Sequence, residues 1–157
     1  MRERQPIANA DDFPNKDIRI TEQFLTEHES VLVFVAVTVL HAALERRGTV
    51  DSDVREALDA LIRTYRTLES GLYYESRPDN PLASNIYREV QQGLDEYQKR
   101  ESQSGGLSTL RNAEILGVLA FLQRLEIQHN NGRPKGRAFI DFLRLYFPKR
   151  AEEPLLL

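Results

Sequence analysis

Residues Val31 to Leu44 form the most apolar run of the chain and constrain its fold more than any other stretch. The run reads VLVFVAVTVLHAAL, and only Thr38 and His41 carry polar side chains. A helix that is apolar on every side must be enclosed by other elements, by a partner chain or by lipid. At 14 residues, the run is shorter than the roughly 20 that span a bilayer. We therefore expect it at the centre of a folded domain.

The same run also carries valine at alternate positions, as one face of a strand does, and β-branched residues favour sheets. Strands typically run about 4–8 residues, and no other segment offers a convincing strand partner. Length therefore favours a helix, extending from about Ile18 to Arg47 and ended by Gly48. Within it, Thr26 and Glu29 match a capping box, which predicts a kink or a new helix start at Thr26.

Hydrophobic periodicity continues through the rest of the chain. It predicts five helices, at about 18–47, 51–72, 82–100, 108–129 and 137–146. We therefore predict an all-α fold: a five-helix bundle with two central apolar helices, about 18–47 and 108–129, and three amphipathic helices around them. Small residues such as Ala36 and Gly117 predict that the two central helices pack directly together. Helix two has a narrow apolar seam. This predicts that it lies on the outside of the bundle, or that it pairs with another helix along one stripe.

The domain organisation follows from length and from the polar ends. At 157 residues the chain fits one domain, which we expect over 17–147. A polar arm without periodicity covers 1–16, and we expect it to be flexible. Pro148 is predicted to stop helix five, so that residues 148–157 form a C-terminal tail.

Composition narrows the classes of function. The chain has no cysteine, which excludes disulfides, thiolate metal ligands and cysteine nucleophiles. Its N-terminus shows no apolar signal segment, so we expect a cytoplasmic protein that does not enter a membrane. The net charge is −3, yet the stretch from Arg124 to Arg150 is basic and the remainder acidic. Such asymmetry is typical of a polyanion site, or of complementary surfaces that meet in an oligomer.

The connector 130–137, NNGRPKGR, is the most distinctive local motif. Its three cations fall on alternate residues directly before a helix N-terminus, where backbone N–H groups and the helix dipole attract anions. A phosphate group or a nucleic-acid backbone is therefore a candidate ligand. The candidate anion-binding residues are Arg133, Lys135, Arg137, Arg124 and Arg144. The alternative is a solvated loop whose cations pair with acidic residues of the same chain or of a neighbouring subunit.

Three further groups of polar residues each allow a functional and a plainer interpretation. Glu126 and His129 have the Glu-x-x-His spacing of di-iron carboxylate bundles, but the second such pair is missing and a surface pair is simpler. His41 can share a face with Glu45, as a buried hydrogen-bonded residue or as a general base. The segment 73–77 carries two tyrosines that either stack on a ligand or pack at the edge of the core.

These patterns favour a non-catalytic module for protein interaction or oligomerisation, because no complete catalytic motif is present. Two helices that are apolar all round need more cover than three amphipathic neighbours provide, which predicts a homodimer. An unidentified protein is the other partner that we consider. Polyanion binding through the connector 130–137 is the first alternative function, and a metal-dependent helical-bundle enzyme is the second. No cofactor is predicted.

Overall fold

The computed structural model describes residues 14–103 and 110–152, with side chains up to residue 147, and this part of the chain contains helices and no strands. The described helices are α1 (Glu22–Glu27), α2 (Glu29–Glu45), α3 (Asp51–Glu69), α4 (Pro81–Gln103), α5 (Asn112–His129) and α6 (Ala138–Glu152). The predicted all-α bundle is confirmed. No described helix is both long and apolar enough to cross a membrane. Most of the predicted arm and the last five residues of the predicted tail lie outside the described residues.

The first predicted helix is divided into α1 and α2 by a break at His28, two residues after the predicted start at Thr26. The N-cap of α1 is Thr21, whose Oγ1 accepts the N–H of Phe24 at 3.0 Å. Thr26 donates its hydroxyl to the carbonyl of Glu22 instead of capping a helix. The predicted break is therefore confirmed, and its predicted capping residue is wrong.

The most extensive helix contact is between α3 and α5, and α3 also contacts α4. By contrast, α2 packs on α4 and α6 and touches α5 little. The predicted direct packing of the two apolar helices is therefore wrong. Instead, α5 packs chiefly on α3, whose small side chains Ala57, Ala60 and Thr64 are fully buried beside the seam of large residues. They widen the buried stripe of α3 enough for it to contact both α4 and α5.

The apolar surface of α5 is enclosed within the single chain. From Ile115 to Leu122, Phe121 alone is partly exposed. The inward face of α2 is likewise buried by α4 and α6. Excess apolar surface on these helices is therefore not a strong reason to expect a homodimer, which stays a prediction.

The connection from α3 to α4 is unusual because the two helices run parallel. Asn80, directly before α4, donates to Asp53 in the first turn of α3 at 2.6 Å. Farther along both helices, the hydroxyls of Thr64 and Tyr87 hydrogen-bond at 2.7 Å. Residues 72–80 must therefore return along the length of α3, and we call this segment the strap.

At the other end of the chain, α6 continues past the proline that was predicted to stop it. The helix spans Ala138–Glu152 and includes Pro148. A proline inside a helix removes one backbone hydrogen bond and bends the helix, but it does not always end it. The prediction that Pro148 stops this helix is therefore wrong.

One close contact fixes α1 against α5 and gives a first testable prediction. A Cβ added at Gly117 would lie 2.4 Å from Cζ of Phe24, so the ring rests on the glycine backbone. We expect Gly117→Ala to lower the free energy of unfolding by about 1 kcal/mol, because the ring must move. In a Phe24→Ala background the same change should raise that free energy by about 0.5–1 kcal/mol, since alanine favours helix.

Urea unfolding of the wild type, the two single variants and the double variant measures this change of sign. An effect of Gly117→Ala that is equal in both backgrounds would show that the ring does not constrain this position.

Candidate interaction surfaces

The connector 130–137 is held by its own asparagines. The Asn130 amide donates to two carbonyls at the end of α5, at 2.9 and 3.1 Å. Asn131 accepts the N–H of Arg133 at 3.0 Å, and a further turn follows between Arg133 and Gly136. Gly132 has a φ of 74°, a left-handed conformation that glycine adopts without strain. The connector is therefore an ordered joint between α5 and α6.

Asp51, the first residue of α3, occupies the N-terminus of α6. Its carboxylate accepts the N–H groups of Phe139 and Ile140 at 2.8 and 3.0 Å, and its own N–H donates to the carbonyl of Gly136 at 2.9 Å. Asp51 is only 3% exposed. The N–H groups that we expected to attract an external anion therefore already bind a carboxylate of the same chain.

The connector cations point away from this joint. The side chains of Arg133, Lys135 and Arg137 are exposed, and none forms a hydrogen bond or ion pair with another described residue. The expected pairing with acidic residues is therefore not found within the described part of the chain. The three cations remain available to a ligand or a partner.

The other two candidate cations have different surroundings. Arg144 is exposed on α6. Arg124 lies on α5 and donates to the carbonyls of Asn15 and Ile18, at 3.2 and 2.8 Å. Arg124 therefore ties the segment before α1 to the bundle, and this role occupies donors that the anion site was expected to use.

Glu126 and His129, the weak metal candidates, are directed to different partners. Glu126 is fully buried, and its two oxygens accept from Nε and a terminal nitrogen of Arg55 at 3.0 and 2.8 Å. The ring of His129 stacks on Phe142 with centroids 3.9 Å apart. The interpretation of Glu126 as part of a surface pair is wrong. No group of three or more metal-ligating side chains occurs among the described residues.

Burial shifts the pKa of two carboxyl groups that lie where α3, α5 and α6 meet. Desolvation raises the pKa of Glu126, although the hydrogen bonds from Arg55 oppose the shift. Desolvation also raises the pKa of Asp51, against the two backbone hydrogen bonds of α6 and the charge of Arg55. The guanidinium of Arg55 thus binds one buried carboxylate, Glu126, and its charge also favours ionisation of Asp51.

The strap is fastened to α3 by threonine hydroxyls. The hydroxyl of Thr67 donates to the carbonyl of Thr64 at 2.8 Å and shares its proton with the carbonyl of Tyr74 at 3.3 Å. Two residues later, the N–H of Ser76 donates to Oγ1 of Thr64 at 2.9 Å. Alternate residues of the strap therefore direct their backbone groups at α3.

The end of the strap is fixed to the start of α3, and the chain bends at Asp79 and Asn80. Asn80 reaches Glu56 as well as Asp53, at 3.2 Å and 2.6 Å. Thr64 and Glu56 are about 12 Å apart along the helix axis. The strap is therefore fixed to α3 at two well-separated positions.

The strap exposes three consecutive large side chains. Leu72, Tyr73 and Tyr74 are 68%, 65% and 67% exposed, so the expected packing of the tyrosines at the core edge is wrong. The Tyr73 hydroxyl donates to the Glu75 carboxylate at 2.5 Å, and Arg77 donates to the same carboxylate at 3.0 Å. These donors hold the pKa of Glu75 below its ordinary value, the Tyr73 hydrogen bond most strongly.

His41 is exposed rather than buried in the apolar run. It lines an open cleft of about 300 Å³ between α2 and α4, together with Glu45, Glu89 and Glu96. The predicted sharing of a face with Glu45 is confirmed, and the predicted burial is wrong, because this stripe of α2 faces solvent.

Two features of these surfaces were not predicted. The burial of Glu126 had a signal in the sequence, since Leu119, Leu122 and Glu126 share one helix face by their spacing. The exposure of Leu72, Tyr73 and Tyr74 had no signal in the sequence, because it depends on where the strap is fastened.

Comparisons with protein-family models, with curated proteins and with solved structures find no match to this chain.

Proposed function

We propose that this protein is a non-catalytic interaction module whose partner is a second copy of the chain. The observation that carries the proposal is the exposure of Leu72, Tyr73 and Tyr74, each about two-thirds open to solvent in the strap. Single exposed apolar residues are ordinary on protein surfaces. Three large ones in succession, two of them tyrosines, are typical of an interface, where aromatic residues are enriched.

The charge distribution supports the same proposal. Arg133, Lys135 and Arg137 are exposed without acidic partners among the described residues. The cleft between α2 and α4 is lined by Glu45 and other glutamates. Opposite charges on separate surfaces of one chain attract a second copy of that chain.

Sedimentation over a range of micromolar concentrations tests the proposal. We expect the mass to rise from that of the 18.1 kDa chain towards the dimer. Leu72→Ser with Tyr74→Ser should raise the dimer Kd about tenfold or more, since buried aromatic anchors dominate interface energies. The matched control is Leu145→Ser with Tyr146→Ser, which changes side chains 76% and 54% exposed on α6 and should leave the Kd unchanged. A monomer at every concentration would contradict the proposal.

A second candidate function is polyanion binding, which the three exposed cations of the connector favour. Asp51 already binds the N–H groups of α6, so the ligand would contact side chains rather than the helix end. Such binding is dominated by phosphate charge and depends strongly on salt.

Fluorescence anisotropy with a single-stranded RNA oligonucleotide tests this candidate at low and moderate salt. Arg133→Ala with Lys135→Ala should weaken binding, and the salt slope should fall by about 0.7 for each phosphate that is no longer neutralised. Arg63→Ala with Lys99→Ala removes the same charge from α3 and α4, where both cations pair with acidic neighbours, and is the control. Absence of binding at low salt would remove the candidate.

A further inference from the structure

The strap has the alternation of an extended strand. The backbone groups of Tyr74 and Ser76 bond to α3. The side chains of Tyr73, Glu75 and Arg77 contact one another in sequence. A spacing of two between residues that share a direction is the period of a β-strand.

This alternation leaves the outer edge of the strap without backbone partners. The N–H and C=O of one strand residue point to the same edge, so those of Tyr73, Glu75 and Arg77 point away from α3. No backbone hydrogen bond is formed by these three residues within the described chain. An unpaired strand edge is a template for pairing with another chain.

We propose that the strap of one copy pairs antiparallel with the strap of a second copy, about a two-fold axis at Ser76. This inference rests on the self-association proposed above and identifies its surface. Only residues that point outward can exchange backbone hydrogen bonds across the axis. The axis at Ser76 therefore pairs Glu75 of each copy with Arg77 of the other.

Charge complementarity favours this register of the strand pair, and it favours a second copy of the chain as the partner. With the axis at Glu75, the two Glu75 carboxylates would lie directly opposite each other, which destabilises a strand pair. With the axis at Ser76, each Glu75 meets a cation, and Tyr74 lies opposite Pro78 of the second copy. Pro78 belongs to the residues that point towards α3, so its missing N–H costs no bond at the outer edge. Opposite charges two residues apart make the strap complementary to itself.

Charge reversal across the axis tests the pairing by sedimentation. Glu75→Arg and Arg77→Glu should each raise the dimer Kd about tenfold or more, because each places like charges opposite each other twice. The double variant Glu75→Arg with Arg77→Glu should restore the wild-type Kd within about threefold. An equimolar mixture of the two single variants should form heterodimers, since the all-basic strap then meets the all-acidic one.

Glu69→Arg is the matched control, because Glu69 is exposed at the end of α3 beside the strap, and its reversal should leave the Kd unchanged. Thermal unfolding of every variant checks that the monomer folds. A dimer that is insensitive to both single reversals, or one that neither the double variant nor the mixture restores, would overturn the strap pairing while self-association stands. A monomeric wild type would overturn both proposals.

Discussion

Replacing Arg55 by methionine is expected to lower the free energy of unfolding by about 3 kcal/mol at neutral pH. The change leaves the Glu126 carboxylate fully buried without its bidentate partner. Breaking a buried ion pair by removing one partner costs about 3–5 kcal/mol, and Arg55, whose side chain is 47% exposed, places the effect at the lower end. Urea unfolding followed by circular dichroism measures it.

Two further variants separate the lost pair from the lost side chain. Arg55→Met with Glu126→Leu should recover most of the stability, because an apolar pair needs no partner for a buried charge. Arg63→Met removes an arginine from an exposed pair with Asp59 on the same helix and should cost less than about 0.5 kcal/mol. Equal losses from Arg55→Met and Arg63→Met would contradict the burial of Glu126.

Replacing Asp51 by alanine is the second large effect, and we expect a loss of about 2–3 kcal/mol. The carboxylate is the acceptor for the N–H groups of Phe139 and Ile140, which lie in a buried site. Without it, both donors lose their partners and the N-terminus of α6 loosens. Hydrogen exchange of these two amides should therefore accelerate more than exchange in α4, which Asp51 does not contact.

Asp51→Asn is the conservative comparison, because its single amide oxygen can replace one of the two acceptors. It should lose about half as much stability as Asp51→Ala. Asp59→Ala, at an exposed pair on the same helix, should change stability by less than about 0.5 kcal/mol. A fast-exchanging Phe139 amide in the wild type would show that Asp51 does not cap α6.

The pH dependence of these variants follows from the raised pKa of Asp51 and of Glu126. A carboxyl whose pKa is higher in the folded state binds its proton more tightly there. As pH rises from the unfolded pKa, near 4, to the folded pKa, the unfolded state releases its proton first and stability falls. The stability of the wild type relative to Asp51→Asn should therefore decrease with rising pH over that window. An increase would mean that hydrogen bonding outweighs burial at Asp51.

The helices were largely predictable from the sequence, because their signals are local. Gly48 was correctly predicted near a helix end and has a φ of 93°, but α2 already ends at Glu45, and Gly48 lies in the turn from Arg46 to Thr49. The predicted start of helix two at Asp51 matches α3. Pro148 was misleading, since a proline inside a helix can bend it without ending it.

The neighbours of each helix were not predictable in the same way. Large apolar residues suggested that α2 and α5 pair, whereas α5 packs chiefly on α3, and α2 packs on α4 and α6. Alanine does not stand out in a pattern of large apolar residues. The sequence therefore did not reveal how wide the buried stripe of α3 is.

The candidate site was predicted only in part. The exposed cations of the connector were identified by type and spacing, because three cations in a Gly/Pro-rich turn are recognisable locally. The carboxylate of Asp51 that occupies the end of α6 comes from 88 residues away in the chain. The partner of Glu126 is 71 residues distant. Contacts at such separations are set by the packing of whole helices, which no local pattern specifies.

Both ends of the stretch from Ser76 to Asn80 are fixed to α3, and this limits how the length of this chain can change. Deleting one residue there would draw Asn80 away from Glu56 and Asp53, or pull α4 along α3. Adding one residue would be absorbed as slack at the surface, because loops tolerate insertions at little cost. We therefore expect this segment to tolerate the insertion of a residue but not the deletion of one.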